Sequence, residues 1–350
     1  MKPIALGLIG CGVIGKAHAR TIQQSSLVNF VAVADSIPER VQEIAKEYNV
    51  PTTYSSGDEL LEDKDIEAVI LAMPTGVRTE LALHAFRNGI HAIIEKPTAM
   101  NAVEAESIIK ARGDLIAVCG CSRPRFSESA QFATKFIADG NLGDIRVVNC
   151  RSISSAGEPP KATPPVWRLI KSLNGGGIMM NWGCYDLDYL LGLAGWKLKP
   201  HMVLGKTWTI PSLYKSHIVP NSDAETHLTA IIICEGGTVI NYERGEYTSA
   251  RTESMWQITG TNGSLHLNMV GRDDSIKFDE GSTEHGVTSK VIYPQSEQQI
   301  NGMLAQLDDF AMAIREGRQP ETNLEKVLMV QKITDAIYKS SDKGTAVEIM

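Results

Sequence analysis

The sequence predicts an α/β protein in two parts: an amino-terminal doubly wound parallel sheet, then an α+β domain with an open, mainly antiparallel sheet. Three observations carry this. Apolar, strand-like runs alternate with helical patterns from Pro3 to Cys121. A glycine-rich turn joins the first run to the first helical pattern. Beyond Glu225 the rhythm becomes alternating runs joined by glycine turns, as in antiparallel hairpins. At 350 residues the chain is also long for a single core.

The elements follow in order. "PIALGLI" is a strand, and a helical pattern runs from Gly15 to Gln24. "FVAVADS" is a second strand, and "PERVQEIAKEYNV" has helical spacing with Pro38 in its first turn. "AVILAMPT", a helix over Arg78 to Asn88, the strand "HAIIEKP" and the strand "LIAVCGC" continue the series. Such alternation predicts a parallel sheet covered on both faces. We place the domain boundary after Ser122, giving domains 1–122 and 123–350. The second domain begins with a capped helix in "SESAQFATKFIADG" and a strand from Ile145 to Ser152. A proline-rich loop, "SAGEPPKATPPVWR", then leads into the half-buried helix of "GGGIMMNWGCYDLDYLL". Helical patterns at Met303 to Glu316 and Leu324 to Ser340 close the chain.

Hydrophobic residues at 43% and charged residues at 21% describe an ordinary globular protein. A net charge of -7 argues against a nucleic-acid partner, which needs a basic field. No apolar run is long enough to span a bilayer, and the apolar start breaks at glycines too soon for a signal-peptide core. We therefore expect a cytoplasmic protein acting on a small molecule. The six cysteines are scattered without a C-x-x-C pair and read as reduced thiols, and no metal site is expected.

"GLIGCGVIGKAH" places G-x-G-x-x-G at Gly10, Gly12 and Gly15, between a strand and a helix. In that setting Gly10 makes the tight turn, Gly12 lets the backbone approach a pyrophosphate, and Gly15 lets helix pack on strand. The phosphates would sit at the helix amino end, where free N–H groups point outward. Asp35, at the end of the second strand, is placed to accept from ribose hydroxyls and to repel a 2′-phosphate. NAD is thus expected over NADP. Glu95, Lys96 and Pro97 end a parallel strand, the edge where open α/β sheets put their ligands. A lysine there can hold a substrate hydroxyl.

The succession "GLIGCGVIGKAH", "AVILAMPT", "GIHAIIEKP", "FIADGNLGDI", "WR", "GGG" and "DLDYL" resembles the Gfo/Idh/MocA oxidoreductases. The likeness runs over nearly the whole chain, including "GRQPETNLEKVLMVQKITDAIYKSS". It implies a nicotinamide cofactor in a Rossmann domain, Lys96 as the catalytic lysine of an E-K-P motif, and a homo-oligomer formed through the outer face of the second sheet. Expected cofactor contacts are Gly10, Gly12, Val13, Ile14 and Gly15; Asp35, Ser36 and Arg40; Met73, Pro74 and Thr75; and Glu95 with Lys96.

Many members follow G-G-G with D-x-G-x-H-x-x-D, the histidine accepting the hydroxyl proton. Aligned on Gly183, this chain has Asn181 for the first aspartate and Tyr185 for the histidine, with Asp188 retained. Helical spacing puts Asn181, Tyr185 and Asp188 on one side. Asn181 can orient a hydroxyl but cannot take its proton. Tyr185 becomes a base if a nearby ammonium favours phenolate, and we expect Lys96 to converge with it from the other domain. Asp188 either binds substrate or braces the helix, and Asp186 points to another face.

Trp167 either stacks on a sugar or an aglycone, or pins its loop; Arg168 can donate a forked pair of hydrogen bonds. Glu158, Lys161, Arg123 and Arg125 lie in segments near the expected pocket, and Arg78, where many relatives have histidine, is expected on its rim. The expected reaction is NAD-dependent oxidation of a secondary hydroxyl of a sugar, glycoside or cyclic polyol, with C3 of a glucoside as first guess. Two alternatives stand beside it: NAD retained and recycled without net NADH, and a non-catalytic sugar and dinucleotide sensor.

Overall fold

The computed structural model describes residues 2–162, 164–271, 273–297 and 300–350. The chain forms two compact units, residues 1–123 with 301–328 and residues 124–300 with 329–350. The boundary expected after Ser122 is one crossing between them, but the sequence reading gave all of 123–350 to the second domain. Residues 301–328 instead return to the first unit. The reason is burial: Leu307, Phe310 and Ala311 of the helix Gly302–Glu316 join the core made by Leu6, Leu8, Val33 and Ile70. Gln306 Nε2 also donates to the Cys119 carbonyl at 2.8 Å.

Strands β1 (Ile4–Ile9), β2 (Val28–Ala34), β3 (Thr52–Tyr54), β4 (Ala68–Leu71), β5 (His91–Ile94) and β6 (Ala117–Cys119) form the first sheet in the order β3-β2-β1-β4-β5-β6. Every pairing in it is parallel. All four residues of β4 are buried, as expected of a central strand covered on both faces. The strand order reverses at β1, so the turn after β1 lies at the topological switch point, where this architecture binds its ligands.

The second unit is built on β7 (Ile145–Ser155), β8 (Pro200–Thr209), β9 (Glu225–Cys234), β10 (Val239–Thr248), β11 (Glu253–Gly260), β12 (Gly263–Leu267), β13 (Ile276–Ser282), β14 (Gly286–Tyr293) and β15 (Val347–Glu348). Their order is β14-β13-β12-β11-β7-β10-β9-β8-β15, and β7 with β10 is a parallel pair in an otherwise antiparallel ladder. One face carries Leu204, Trp208 and Ile231, each 45–49% exposed, and Leu204 pairs directly with Ile231. The same face holds the ion-paired row His227, Glu243, Arg151 and Glu253 across four strands.

Candidate active site

In the first unit the glycine turn has the form a dinucleotide needs. Gly10 has φ +99°, and a Cβ on it would meet the Ala72 backbone at 2.7 Å. A Cβ on Gly15 would lie 1.9 Å from the Gly10 carbonyl oxygen, so only glycine lets the helix Val13–Ile22 start so close to β1. A Cβ on Gly12 meets nothing within 4 Å, and Val13 beside it is 91% exposed. Space is open where a pyrophosphate would lie against the helix amino end. Asp35 accepts from Cys11 N at 2.6 Å and from Ile37 N at 2.9 Å, which fixes its carboxylate at the mouth of this turn. Ser36 and Arg40 are exposed; Met73, Pro74 and Ile14 are half-buried; Thr75 is buried. These residues fit a bound NAD.

The E-K-P turn is held from beneath. Glu95 is 2% exposed, and its carboxylate accepts from Arg123 Nη2 at 2.6 Å, His18 Nε2 at 2.7 Å and Lys96 N at 3.0 Å. Burial alone would raise its pKa, but Arg123 and His18 outweigh burial and hold the carboxyl well below the usual carboxylate range. Glu95 and Arg123, expected at cofactor and substrate, are paired with each other in the interior beneath the E-K-P turn. The expectation for Arg78 is corrected. It is 3% exposed rather than on a rim, and its guanidinium donates to the Glu95, Pro97 and Met73 carbonyls. It ties the "AMPT" turn to the E-K-P turn and leaves Lys96 half-buried at the strand end.

In the second unit, the three glycines let the next helix begin against β9. A Cβ on Gly177 would stand 1.8 Å from the Glu225 carbonyl oxygen, and one on Gly176 would stand 2.0 Å from the Tyr338 hydroxyl. Glu225, 2% exposed, accepts from Gly177 N, Met179 N and Tyr338 Oη at 2.9–3.0 Å, so it caps the first turn. Burial pushes its carboxyl up. The turn Met179–Gly183 is π-helical and runs into the α-helix Cys184–Leu193. Such bulges are frequent at functional sites.

Along this stretch Asn181, Trp182 and Tyr185 are half-buried, whereas all the other residues from Met179 to Leu193 are buried. The expected pair Asn181 and Tyr185 thus shares the accessible stripe. Trp182 joins it, its ring 5.4 Å from that of Tyr185. Asp188 does not join it: its side chain is 0% exposed and accepts from Arg125 Nε at 2.7 Å, which is the bracing role of the two considered. Asp186 is fully buried and accepts from Tyr242 Oη at 2.9 Å and from Arg244 Nη1 and Trp256 Nε1 at 3.1 Å. The Arg244 guanidinium also lies over the Trp182 ring, 4.7 Å from its centroid.

Arg168 is committed to the Glu246 carboxylate, and its Nη1 donates to Tyr247 Oη at 3.2 Å. Glu246 and Tyr247 line a cavity of about 520 Å³ with Trp208, Thr226 and His227. Tyr247 holds φ +55°, a left-handed conformation that is costly for a bulky residue and clusters at functional sites. Trp167 is 38% exposed. Sequence reasoning passed over Glu225, Arg244 and Glu246. The spacing of Arg244 and Glu246, two positions apart in "YERGE" and so on one face of a strand, was the signal for the last two. Among the described residues no cluster of three or more His, Cys, Asp or Glu side chains could hold a metal ion, and no helix is long and apolar enough to cross a membrane.

Residues 4–120 match the group described as an oxidoreductase family with an NAD-binding Rossmann fold, and residues 134–349 match that family's C-terminal alpha/beta domain. The chain is 22% identical to the myo-inositol 2-dehydrogenase of Thermotoga maritima, covering 98% of each chain. A levoglucosan dehydrogenase solved with NADH and L-sorbose superposes with a TM-score of 0.87 at 22% identity, covering 99% of both chains. The aldose-aldose oxidoreductase of Caulobacter crescentus, solved with glycerol, superposes with a TM-score of 0.84 at 22% identity, covering 99% of this chain and 100% of that one. With both domains matched in their proper order, and with a glycine turn built for a dinucleotide, the chain belongs to the Gfo/Idh/MocA oxidoreductases and its first unit is an NAD-binding Rossmann domain.

Proposed function

We propose that the protein oxidises a secondary hydroxyl of a sugar, glycoside or cyclic polyol to the ketone, with Lys96 and Tyr185 sharing the proton transfer. The observation that carries this reading is the accessible stripe Asn181, Trp182 and Tyr185 on an otherwise buried, π-bulged helix. Bound NAD supplies the acceptor for the hydride that leaves the carbinol carbon. Tyr185, as phenolate, takes the hydroxyl proton as the C=O bond forms. Lys96 donates a hydrogen bond to the same oxygen, and its charge favours phenolate. Asn181 orients the hydroxyl without exchanging its proton. Relatives named for inositol and levoglucosan oxidation support the substrate class.

C3 of a glucoside is the first position to test. The decisive experiment incubates the protein with NAD or NADP and a panel of sugars, glycosides and polyols, following NADH or NADPH absorbance. Turnover with NAD, lost in Lys96→Ala and reduced at least a hundredfold in Tyr185→Phe, is the expected result. Equal turnover after Lys96→Ala ends the assignment. In a second reading NAD stays bound and is recycled between two sugars. It is chosen if cofactor copurifies and sugar is converted without net NADH. Ligand binding with no chemistry returns the sensor.

We also propose a homo-oligomer formed through the exposed sheet face of Leu204, Trp208 and Ile231, since adjacent apolar side chains of this size favour burial. The six cysteines are each buried as thiols, which suits the cytoplasm as the compartment.

A further inference from the structure

We infer that Arg244, held by Asp186, is a positioning residue that sets the Tyr185 phenol through the ring of Trp182. The inference rests on the catalytic reading of Tyr185 but not on the identity of the substrate. Three links carry it, all inside the second unit. Asp186 sits on the buried side of the helix that bears Tyr185, and it anchors Arg244 of β10 with help from Tyr242 and Trp256. The anchored guanidinium lies over the Trp182 ring at 4.7 Å. That ring meets Tyr185 at 5.4 Å, tilted by 49°.

The arrangement is costly to maintain. A carboxylate with no exposure and an arginine 6% exposed must each be satisfied inside the protein, and here each satisfies the other. Two apolar side chains would fill the same space without that demand. What the ion pair adds is a fixed cation behind an indole that is itself only half-buried. Without it, Trp182 can take other rotamers, and the phenol loses the surface that sets its tilt.

Other charged groups packed on this stretch have partners of their own: Glu225 accepts from Gly177 N, Met179 N and Tyr338 Oη. Asp188 on the same helix is paired with Arg125. Glu246, two positions along β10, is paired with Arg168. Cys150 of β7 is buried beside Asp186, and burial pushes its thiol well above the usual range, so it stays neutral. Lys96 acts on Tyr185 in the proposed mechanism and is unchanged in the variants below.

The test separates positioning with charge from mere support by using variants of opposite sign. Tyr185 is titrated by ultraviolet difference spectroscopy in the full-length chain without substrate, with the Tyr185→Phe signal subtracted. Arg244→Met removes the cation and is expected to raise the phenol midpoint by on the order of half a pH unit or more. Asp186→Asn keeps the shape but leaves the cation uncompensated, and is expected to lower the midpoint. Arg244→Lys restores the charge and returns the midpoint most of the way. The pH profile of kcat/KM shifts in the same directions, with kcat falling more than KM rises. Midpoints that do not move, or that move the same way in both variants while the melting points stay near wild type, overturn the inference. Should Arg244→Met fail to fold, Trp182→Leu replaces it, and an unchanged Tyr185 midpoint and kcat in that variant overturn it equally. If wild type turns over no sugar, the proposed function falls while the spectroscopic arm still decides this inference.

Discussion

Replacing Glu95 by alanine tests the logic of the E-K-P turn most directly. The substitution leaves Arg123, whose side chain is 10% exposed, without its carboxylate, and removes the acceptor of His18 Nε2 and of Lys96 N. Removing one partner of a buried ion pair costs about 3–5 kcal/mol, because the other charge remains buried and uncompensated. The first unit holds about 150 residues, a size at which each kcal/mol moves a melting temperature by roughly 2–4 °C. A drop of roughly 6–20 °C is expected by thermal circular dichroism. Glu95→Gln keeps the shape without the charge, and should show a smaller drop that depends on pH. Because the folded carboxyl is held below its ordinary value of 4.5, its stabilisation is complete above that value and lost as pH falls through the folded pKa. The gap between wild type and Glu95→Gln should therefore be full at neutral pH and narrow below about pH 4.5. In the double variant Glu95→Ala, Arg123→Met the losses should fall well short of additive, since the second change removes the orphaned charge. A Glu95→Ala protein melting within about 2 °C of wild type, or strict additivity in the double variant, would refute the ion-pair argument.

Gly12→Ala should melt like wild type, since no atom lies within 4 Å of the new methyl, yet bind NAD at least tenfold more weakly by calorimetry. Gly15→Ala, whose methyl would stand 1.9 Å from the Gly10 carbonyl oxygen, should lower the melting temperature as well; equal behaviour of the two variants contradicts the reading of the turn. Ile231→Glu, on the exposed sheet face, should convert an oligomer to a monomer in light scattering, and a monomeric wild type at micromolar concentration removes that interface.

The legibility of the site varied with the range of the interactions behind it. The glycine turn, Asp35 and Lys96 were visible because each depends on a local pattern: a strand, a tight turn and a helix within a few dozen residues. Asn181 and Tyr185 were visible through helical spacing, and the structure leaves that pair on the accessible stripe. Asp188 had the same spacing, but Arg125 reaches it from 63 positions away and takes its carboxylate. Glu95 and Arg123 were expected at cofactor and substrate because charged groups beside a motif usually are; only the structure shows that they pair with each other in the interior. Glu225, 46 positions from Met179, caps the helix that bears Asn181 and Tyr185 through a contact that no local rule could anticipate.

By itself the sequence determined the two architectures, the order of their elements, the dinucleotide turn and the residue types offered for proton transfer, because periodicity and turn chemistry act between near neighbours along the chain. The tertiary structure alone decided that residues 301–328 belong with the first sheet, and which of the charged side chains are bound to one another in the interior. That division has a physical cause. Burial and ion pairing depend on which distant strands and helices close over a group, and a carboxylate carries no mark in the sequence to say whether an arginine will meet it.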